Sequence, residues 1–318
     1  MSRAAVAAAL ALAGLVVLPW IAANDYYINL SSQVLIYAVF ALSINLMSGF
    51  GGLQSLGHAV YLGAPAYACI WLVTRFGFDH LTAALATLAG ATVMAAFFGV
   101  LSLRATGLGF IMITLALGQI VWGIAYRWVS VTGGDNGLKL PSRPQPFGLE
   151  LTAPIPFYYF TLLVFAIVFF FLWRLSRSAY GASLRGTRDQ PRRMSMLGHN
   201  VWLIRWLAFT LAGFWGSVAG LLYVYYYQFV SPPALSLQKH AEMLLMAILG
   251  GVGSLTGPIV GAAIITVVKN LVSSYVERWN TLLGLIFVVV IIFMPEGLVP
   301  GCVRLWRRYG WKFRSAQP

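Results

Sequence analysis

The feature that most constrains this chain is its succession of long uncharged apolar runs, each near the length that a helix needs to cross a bilayer. A hydrocarbon core of about 30 Å requires roughly 20 apolar residues at a rise of about 1.5 Å per residue. Runs of this kind, bounded by charge, Gly or Pro, occupy residues 4–23, 28–48, 58–74, 81–103, 107–128, 156–174, 203–227, 238–252, 257–276 and 280–300. The expected fold is all-α: one polytopic transmembrane helical bundle over residues 1–318, with about ten spans. The third and eighth runs are short and adjoin Gly-rich stretches, so either can be broken or re-entrant. Such breaks are tolerated at membrane depth where protein or a wet cavity covers the freed backbone. Composition agrees, since 60% of residues are apolar and only 9% charged, against about 25% charged in a soluble domain. A soluble enzyme, a disordered tail and a disulfide scaffold are excluded.

The first run follows Ser2 and Arg3 and has two readings, a secretory signal core cleaved near IAAND or a retained helix. Its uninterrupted length and the charge map favour the helix. With the amino terminus inside, the cytoplasmic side holds Arg3, Arg104, the seven Arg from Arg174 to Arg205 and the five basic residues from Arg304 to Arg314, fourteen of the 21 Lys and Arg. The external side receives Asp25, Asp79, Asp135, Glu150, Glu242 and Glu277. The net charge of +13 is thus a positive-inside signature rather than a nucleic-acid footprint. Both termini are expected in the cytoplasm, with 301–318 as a basic tail.

Several chemistries lack the residues they need. Cys69 and Cys302 have no CxxC spacing and no neighbouring His, which argues against a metal site or a disulfide framework. No phosphate-cradling G-x-x-x-x-G-K-[ST] occurs, so the chain carries no ATPase site of its own. Paired carboxylates, a Ser-His-Asp set and metal-spaced histidines are missing; His58, His80, His199 and His240 are scattered. Apart from Glu242 and Lys269, ionisable residues fall at span ends or in loops, which disfavours an ion-driven transporter with buried relays.

The longest cytoplasmic connection, 176–200, is expected to project a short helix. Asp189 and Gln190 before Pro191 read as a helix start and Gly198 as its stop. Met194 and Leu197 would share one face, with Arg192 and Arg193 elsewhere, giving an amphipathic element suited to docking on another protein. The plainer alternative is a basic loop lying on anionic lipid. The external segment 131–155 begins VTGGDNGLKLPSRPQPFGLEL, too rich in Gly and Pro for a regular element. Gly133, Gly134, Asp135, Asn136 and Gly137 are expected to form tight turns with positive φ, either as a docking and gating surface or as a solvated hairpin loop.

Two segments echo each other: Leu46 and Met47 before GGLQSLG (51–57), and Leu245 and Met246 before GGVGSLT (250–256), with Gly63 and Gly261 following. The echo suggests a weak internal repeat of two halves, although small residues also serve close helix packing. Asn45, Gln54, Ser55, His58, Thr114, Gln119 and Asn270 are polar within the runs and are expected in the bundle interior, as interhelical hydrogen bonds or as a path lining. His58 has no carboxylate within a helical turn, so a structural role outweighs a proton relay.

SGFGGLQSLGHAVYLGAPAYA (48–68), TLALGQIV (114–121), TGGDNGL (132–138), the arginine-rich segment from Tyr180 to Asn200, LLMAILGGVGSLTGPIVGA (244–262) and MPEGLVP (294–300) occur in this order. Together they resemble the permeases of branched-chain amino acid ABC importers, specifically the LivM-type subunit, over nearly the whole chain. The resemblance implies a half-transporter in the bacterial cytoplasmic membrane that pairs with a LivH-like second permease, two ABC ATPase subunits carrying ATP and Mg, and an external substrate-binding protein. It implies no cofactor on this chain and transport by alternating access. It carries Gly181, Leu184, Arg185, Arg188, Asp189 and Gly198 over as ATPase contacts or their supports. Pro191 to Ser195, the order Leu53-Gln54 and Pro65 depart from the family pattern. Related permeases handle urea and short amides, which leaves those cargoes as alternatives to leucine, isoleucine and valine. An energy-independent channel for a small neutral solute is the alternative from another class.

Overall fold

The structure is a computed structural model that describes residues 14–20, 24–144, 151–272, 281, 284, 285, 288, 292 and 297–301. Expectations for most of the first and last runs, for Glu150, Glu277 and Cys302, and for the 302–318 tail lie outside the described residues.

The described chain is mostly helical, and five of its helices begin at a side chain that accepts from a first-turn N–H group. Asn24 accepts from the Tyr26 N–H to start α1 (Asp25–Asn45), which widens into a π-turn over Leu46–Phe50. A non-helical stretch, 51–59, then leads into α2 (Val60–Phe76). Asp79 caps α3 (His80–Ser102). Then come α4 (Leu108–Arg127), the single turn α5 (Val129–Thr132) and a two-residue strand β1 (Leu138–Lys139). Pro154 stands in the first turn of α6 (Pro154–Arg177). Beyond it, α7 (Ala179–Asp189) and α8 (Pro191–Met196) precede α9 (Val201–Tyr227), whose cap is Asn200. Strand β2 (Phe229–Val230), α10 (Leu237–Gly250) and α11 (Thr256–Val272) follow.

Among the described residues, Asp25–Phe50, α3, α4, α6 and α9 are long and apolar enough to cross a membrane, while α2 and α11 are shorter apolar helices. α10, the eighth run, spans only 14 residues. α1 is apolar all round and buried from Leu35 to Asn45, as expected of a helix surrounded by others. It packs against α6, α9, α10 and α11, and α9 in turn holds α2 and α3. α4 leaves Leu108, Met112, Ile120 and Ile124 exposed, which suits a helix whose outer face meets lipid.

The two ends of the bundle differ. At one end β1 pairs antiparallel with β2, Leu138 opposite Val230 and Lys139 opposite Phe229. The 131–155 segment is thereby tied across to the end of α9, which corrects the expectation of a loop without regular structure. Arg143 braces it by donating to the Leu151, Thr152 and Tyr226 carbonyls, with its guanidinium 5.0 Å from the Phe157 ring centre. Gly133, Gly134 and Gly137 all have positive φ. At Gly137 a Cβ would also collide with the Val230 carbonyl. Gly137→Ala is therefore expected to cost about 1–2 kcal/mol from backbone strain and to open the ribbon. Faster proteolysis within 131–155 in membrane vesicles would report it. The opposite end carries the elbow formed by α7 and α8.

Candidate coupling elbow and interior path

The elbow begins at Ser178, whose Oγ accepts from the Gly181 N–H. The sequence reading placed one short helix in 176–200; the structure places two, because Gly181, Leu184 and Thr187 form a buried face at three-residue spacing. Gly181 lies against the Leu175 and Ser176 carbonyls. Leu184 joins the main core beside Gly51. Arg185 donates to the Ser176 carbonyl at 2.8 Å. Arg188 lays its stem against Gly52, donates to the Gly49 carbonyl at 2.7 Å and donates from Nε to Asp189 at 2.8 Å. That bond holds the Asp189 carboxyl below its ordinary pKa. Arg205 of α9 donates to the Thr187 carbonyl at 2.8 Å. Gly181, Leu184, Arg185 and Thr187 bind the elbow to the bundle, whereas Arg188, which also grips the bundle, and Asp189 remain exposed.

The exposed apolar surface belongs to α8 and the residue that follows it. Its helix ends at Leu197, followed by Gly198 with φ +83°, a conformation that suits Gly, and the His199 N–H returns to the Met194 carbonyl at 3.1 Å. Met194 does not share an outer face with Leu197 as expected: it turns inward and packs on Gly186. The outward apolar pair is Met196, 86% exposed, and Leu197, 73% exposed. Arg192 and Arg193 are also exposed.

Inside the bundle, two of the polar residues, Ser55 and Thr114, serve the unwound 51–59 backbone, whose N–H and C=O groups need partners at this depth. Asn45 is fully buried and joins the two Gly-rich segments that echo each other in the sequence. Its amide donates to the Ser254 carbonyl at 2.8 Å and accepts from the Gly253 N–H at 2.7 Å. Asn45→Ala removes both bonds and should lower stability by about 1–3 kcal/mol, read as a lower melting temperature of the purified protein. The Ser55 hydroxyl accepts from the Gly57 N–H, and the Thr114 hydroxyl accepts from the Leu56 N–H. The His58 ring lies between Phe40 and Tyr61. Since the Ser43 hydroxyl donates to the Phe40 carbonyl at 2.7 Å, His58 Nε2, 3.0 Å away, is the donor to that hydroxyl.

Two expected interior residues are elsewhere. Gln119 is exposed on α4. Gln54 faces a cleft of about 620 Å³ on the elbow side, lined also by Leu53, Leu103, Phe110, Trp202 and Arg205. Pro65 is buried within α2. Asn270 donates to Gln33 and to the Thr266 carbonyl.

The sequence reading singled out Glu242 and Lys269 as ionisable within the runs but missed that they meet each other and Lys239, in the half of the bundle nearer the ribbon. Glu242, assigned to the external side, is buried. It accepts from Lys239 at 3.2 Å and from Lys269 at 2.8 and 3.0 Å. Lys239 Nζ also donates to the Tyr37 hydroxyl at 3.1 Å and stands 4.6 Å from that ring's centre. Tyr37 and Tyr227 exchange a hydrogen bond at 3.3 Å, and Gln33 donates to the Tyr226 hydroxyl. The available signal was the i,i+3 spacing of Lys239 and Glu242 inside an apolar helix, facing a lone Lys in the next.

A multi-pass helical bundle with an unwound interior stretch and a projecting amphipathic elbow defines a membrane permease. Residues 26–295 match the family described as branched-chain amino acid transport system, permease component, and the chain belongs to that family. It is a permease of the LivM type. It is 28% identical to the high-affinity branched-chain amino acid transport system permease LivM of Salmonella typhimurium, over 86% of this chain and 70% of that protein. It is 24% identical to a probable LivM of Methanocaldococcus jannaschii, over 86% of this chain and 94% of that protein. The autoinducer 2 import permease LsrC of Escherichia coli is 27% identical over 63% of this chain and 60% of its own length.

Proposed function

We propose that this chain is the transmembrane permease subunit of an ATP-driven ABC importer that moves branched-chain or related neutral amino acids inward across the bacterial cytoplasmic membrane. Its partners are a LivH-like second permease, two ATPase subunits that bind ATP and Mg, and an external binding protein that delivers the cargo. Both termini and the elbow are cytoplasmic, the ribbon is external, and about ten spans fall in two related halves.

The observation that carries this reading is the attachment of the elbow. Arg188 grips the Gly49 carbonyl and covers Gly52, and Leu184 packs at Gly51, at the start of the unwound stretch that runs through Ser55 to His58. A load on Met196 and Leu197 is therefore transmitted straight to the bundle interior. When the ATPase subunits close on ATP they pull the elbow, the bundle opens towards the binding protein, and hydrolysis returns it to face inward. Mild-detergent purification of the tagged chain from its host, with mass spectrometry and an ATPase assay of the eluate, tests this. Co-purification of two ATPases and a second permease is expected. A chain that emerges alone and conducts solute in liposomes overturns the reading.

A further inference from the structure

We propose that the Lys239–Glu242–Lys269 cluster is a binding station for the carboxylate of the cargo, and that Lys269 is the group that receives it. The proposal deepens the importer reading, on which it rests, by restricting the cargo to small solutes that carry a carboxylate and setting aside urea and amides.

Lys239 and Glu242 lie one turn apart on α10, and with a nitrogen to oxygen distance of 3.2 Å they form a neutral pair. Lys269 arrives from α11 and adds a second ammonium to the same carboxylate at 2.8 Å. Among the described residues, the cluster therefore holds one positive charge more than it balances. Every charge withdrawn from water into the bundle carries a desolvation cost that apolar residues of similar volume would avoid, and ionisable groups at membrane depth are retained chiefly where they act on a permeant.

Donor geometry points the same way. An ammonium has three N–H donors; those of Lys269 meet the two Glu242 oxygens and, among the described residues, leave one in hand. The Lys269 side chain is also the most open of the three, 33% exposed against 13% for Lys239 and 9% for Glu242. A carboxylate that approaches Lys269 gains a charge-assisted hydrogen bond and neutralises the surplus. Glu242 then keeps Lys239, which Tyr37 already steadies. Position fits as well, since the cluster neighbours Tyr227 at the ribbon end of α9, the end at which a delivered cargo enters. A neutral amide offers no charge to compensate the surplus.

The test uses the detergent-purified importer without its binding protein, melted with leucine or with leucinamide, which keeps the ammonium and the side chain but lacks the carboxylate. Leucine is expected to raise the melting temperature of the wild type and of Lys269→Arg, and leucinamide to leave it unchanged. Lys269→Met should require at least tenfold more leucine for the same shift. It retains the neutral Lys239–Glu242 pair, so its unliganded melting temperature should stay close to that of the wild type. An equal shift with leucinamide, no shift with leucine, or an unchanged leucine requirement in Lys269→Met overturns the proposal. If Lys269→Met does not assemble, the comparison of leucine with leucinamide on the wild type decides alone. ATP-driven uptake by the wild-type complex with its binding protein tests the importer reading separately: uptake without carboxylate discrimination in the melting assay sinks only this proposal, and no ATP-driven uptake of any solute sinks that reading.

Discussion

Replacing both Met196 and Leu197 by Asp is expected to abolish ATP-driven uptake while the chain still reaches the membrane at wild-type abundance. Both side chains are exposed, so their loss should change the stability of the fold by no more than about 0.5 kcal/mol. Apolar anchors of a docking surface act differently, since each commonly contributes about 2 kcal/mol or more. Burying two carboxylates in their place would cost further. A loss of at least about 100-fold in labelled-leucine uptake by membrane vesicles should follow, with the ATPase subunits missing from the tagged chain's eluate. Met194→Asp provides the contrast. That side chain packs against Gly186, so the change should loosen α7 from α8 and reduce the amount of folded protein. Uptake that persists in the Met196 and Leu197 double variant would show that the elbow is not the coupling surface.

The difference between Met194 and Met196 also shows what the sequence could and could not reveal. Pro191 and Gly198 bound the short helix, because Pro favours a first turn and Gly accepts a positive φ, and both are local properties of the chain. Which face points outward depends on the direction in which α8 leaves Gln190, whose φ of −146° and ψ of 77° interrupt the helix; that geometry is set by tertiary packing. α7 escaped notice for a related reason. Within 176–200 the only helix signals in the sequence lay at Pro191 and Gly198, whereas α7 is fixed by contacts that a sequence does not show, Arg185 and Arg188 donating to main-chain carbonyls of the bundle.

Hydropathy made the long helices legible because their whole surface must be apolar, whether it meets lipid or another helix. The same uniformity concealed facing. Thr114 and Gln119 both lie in α4, but Thr114 meets the Leu56 N–H whereas Gln119 points outward, and no amphipathic stripe separates the two. Asn45 illustrates the long-range part of the problem. Its partners, Gly253 and Ser254, lie in the second Gly-rich segment, and only the folded bundle shows that the two segments meet.

The ionic cluster supplies the other large expected effect. Glu242→Leu should lower the stability of the chain by about 3–5 kcal/mol, because removing one partner from a buried ion pair leaves its charge uncompensated. Here two ammoniums are stranded, Lys239 and Lys269, both of which now point at Glu242. A melting temperature far below that of the wild type, together with a fall in membrane-inserted protein, would record it. Glu242→Leu combined with Lys239→Met and Lys269→Met should recover much of this loss, since the triple variant buries no unpaired charge and apolar side chains of similar volume pack well at membrane depth. Recovered stability without recovered uptake would separate the two duties of the cluster: the carboxylate makes the lysines tolerable inside the bundle, and the lysines act on the cargo. If Glu242→Leu alone were as stable as the wild type, the ammoniums would have to reach water or another anion within the folded bundle.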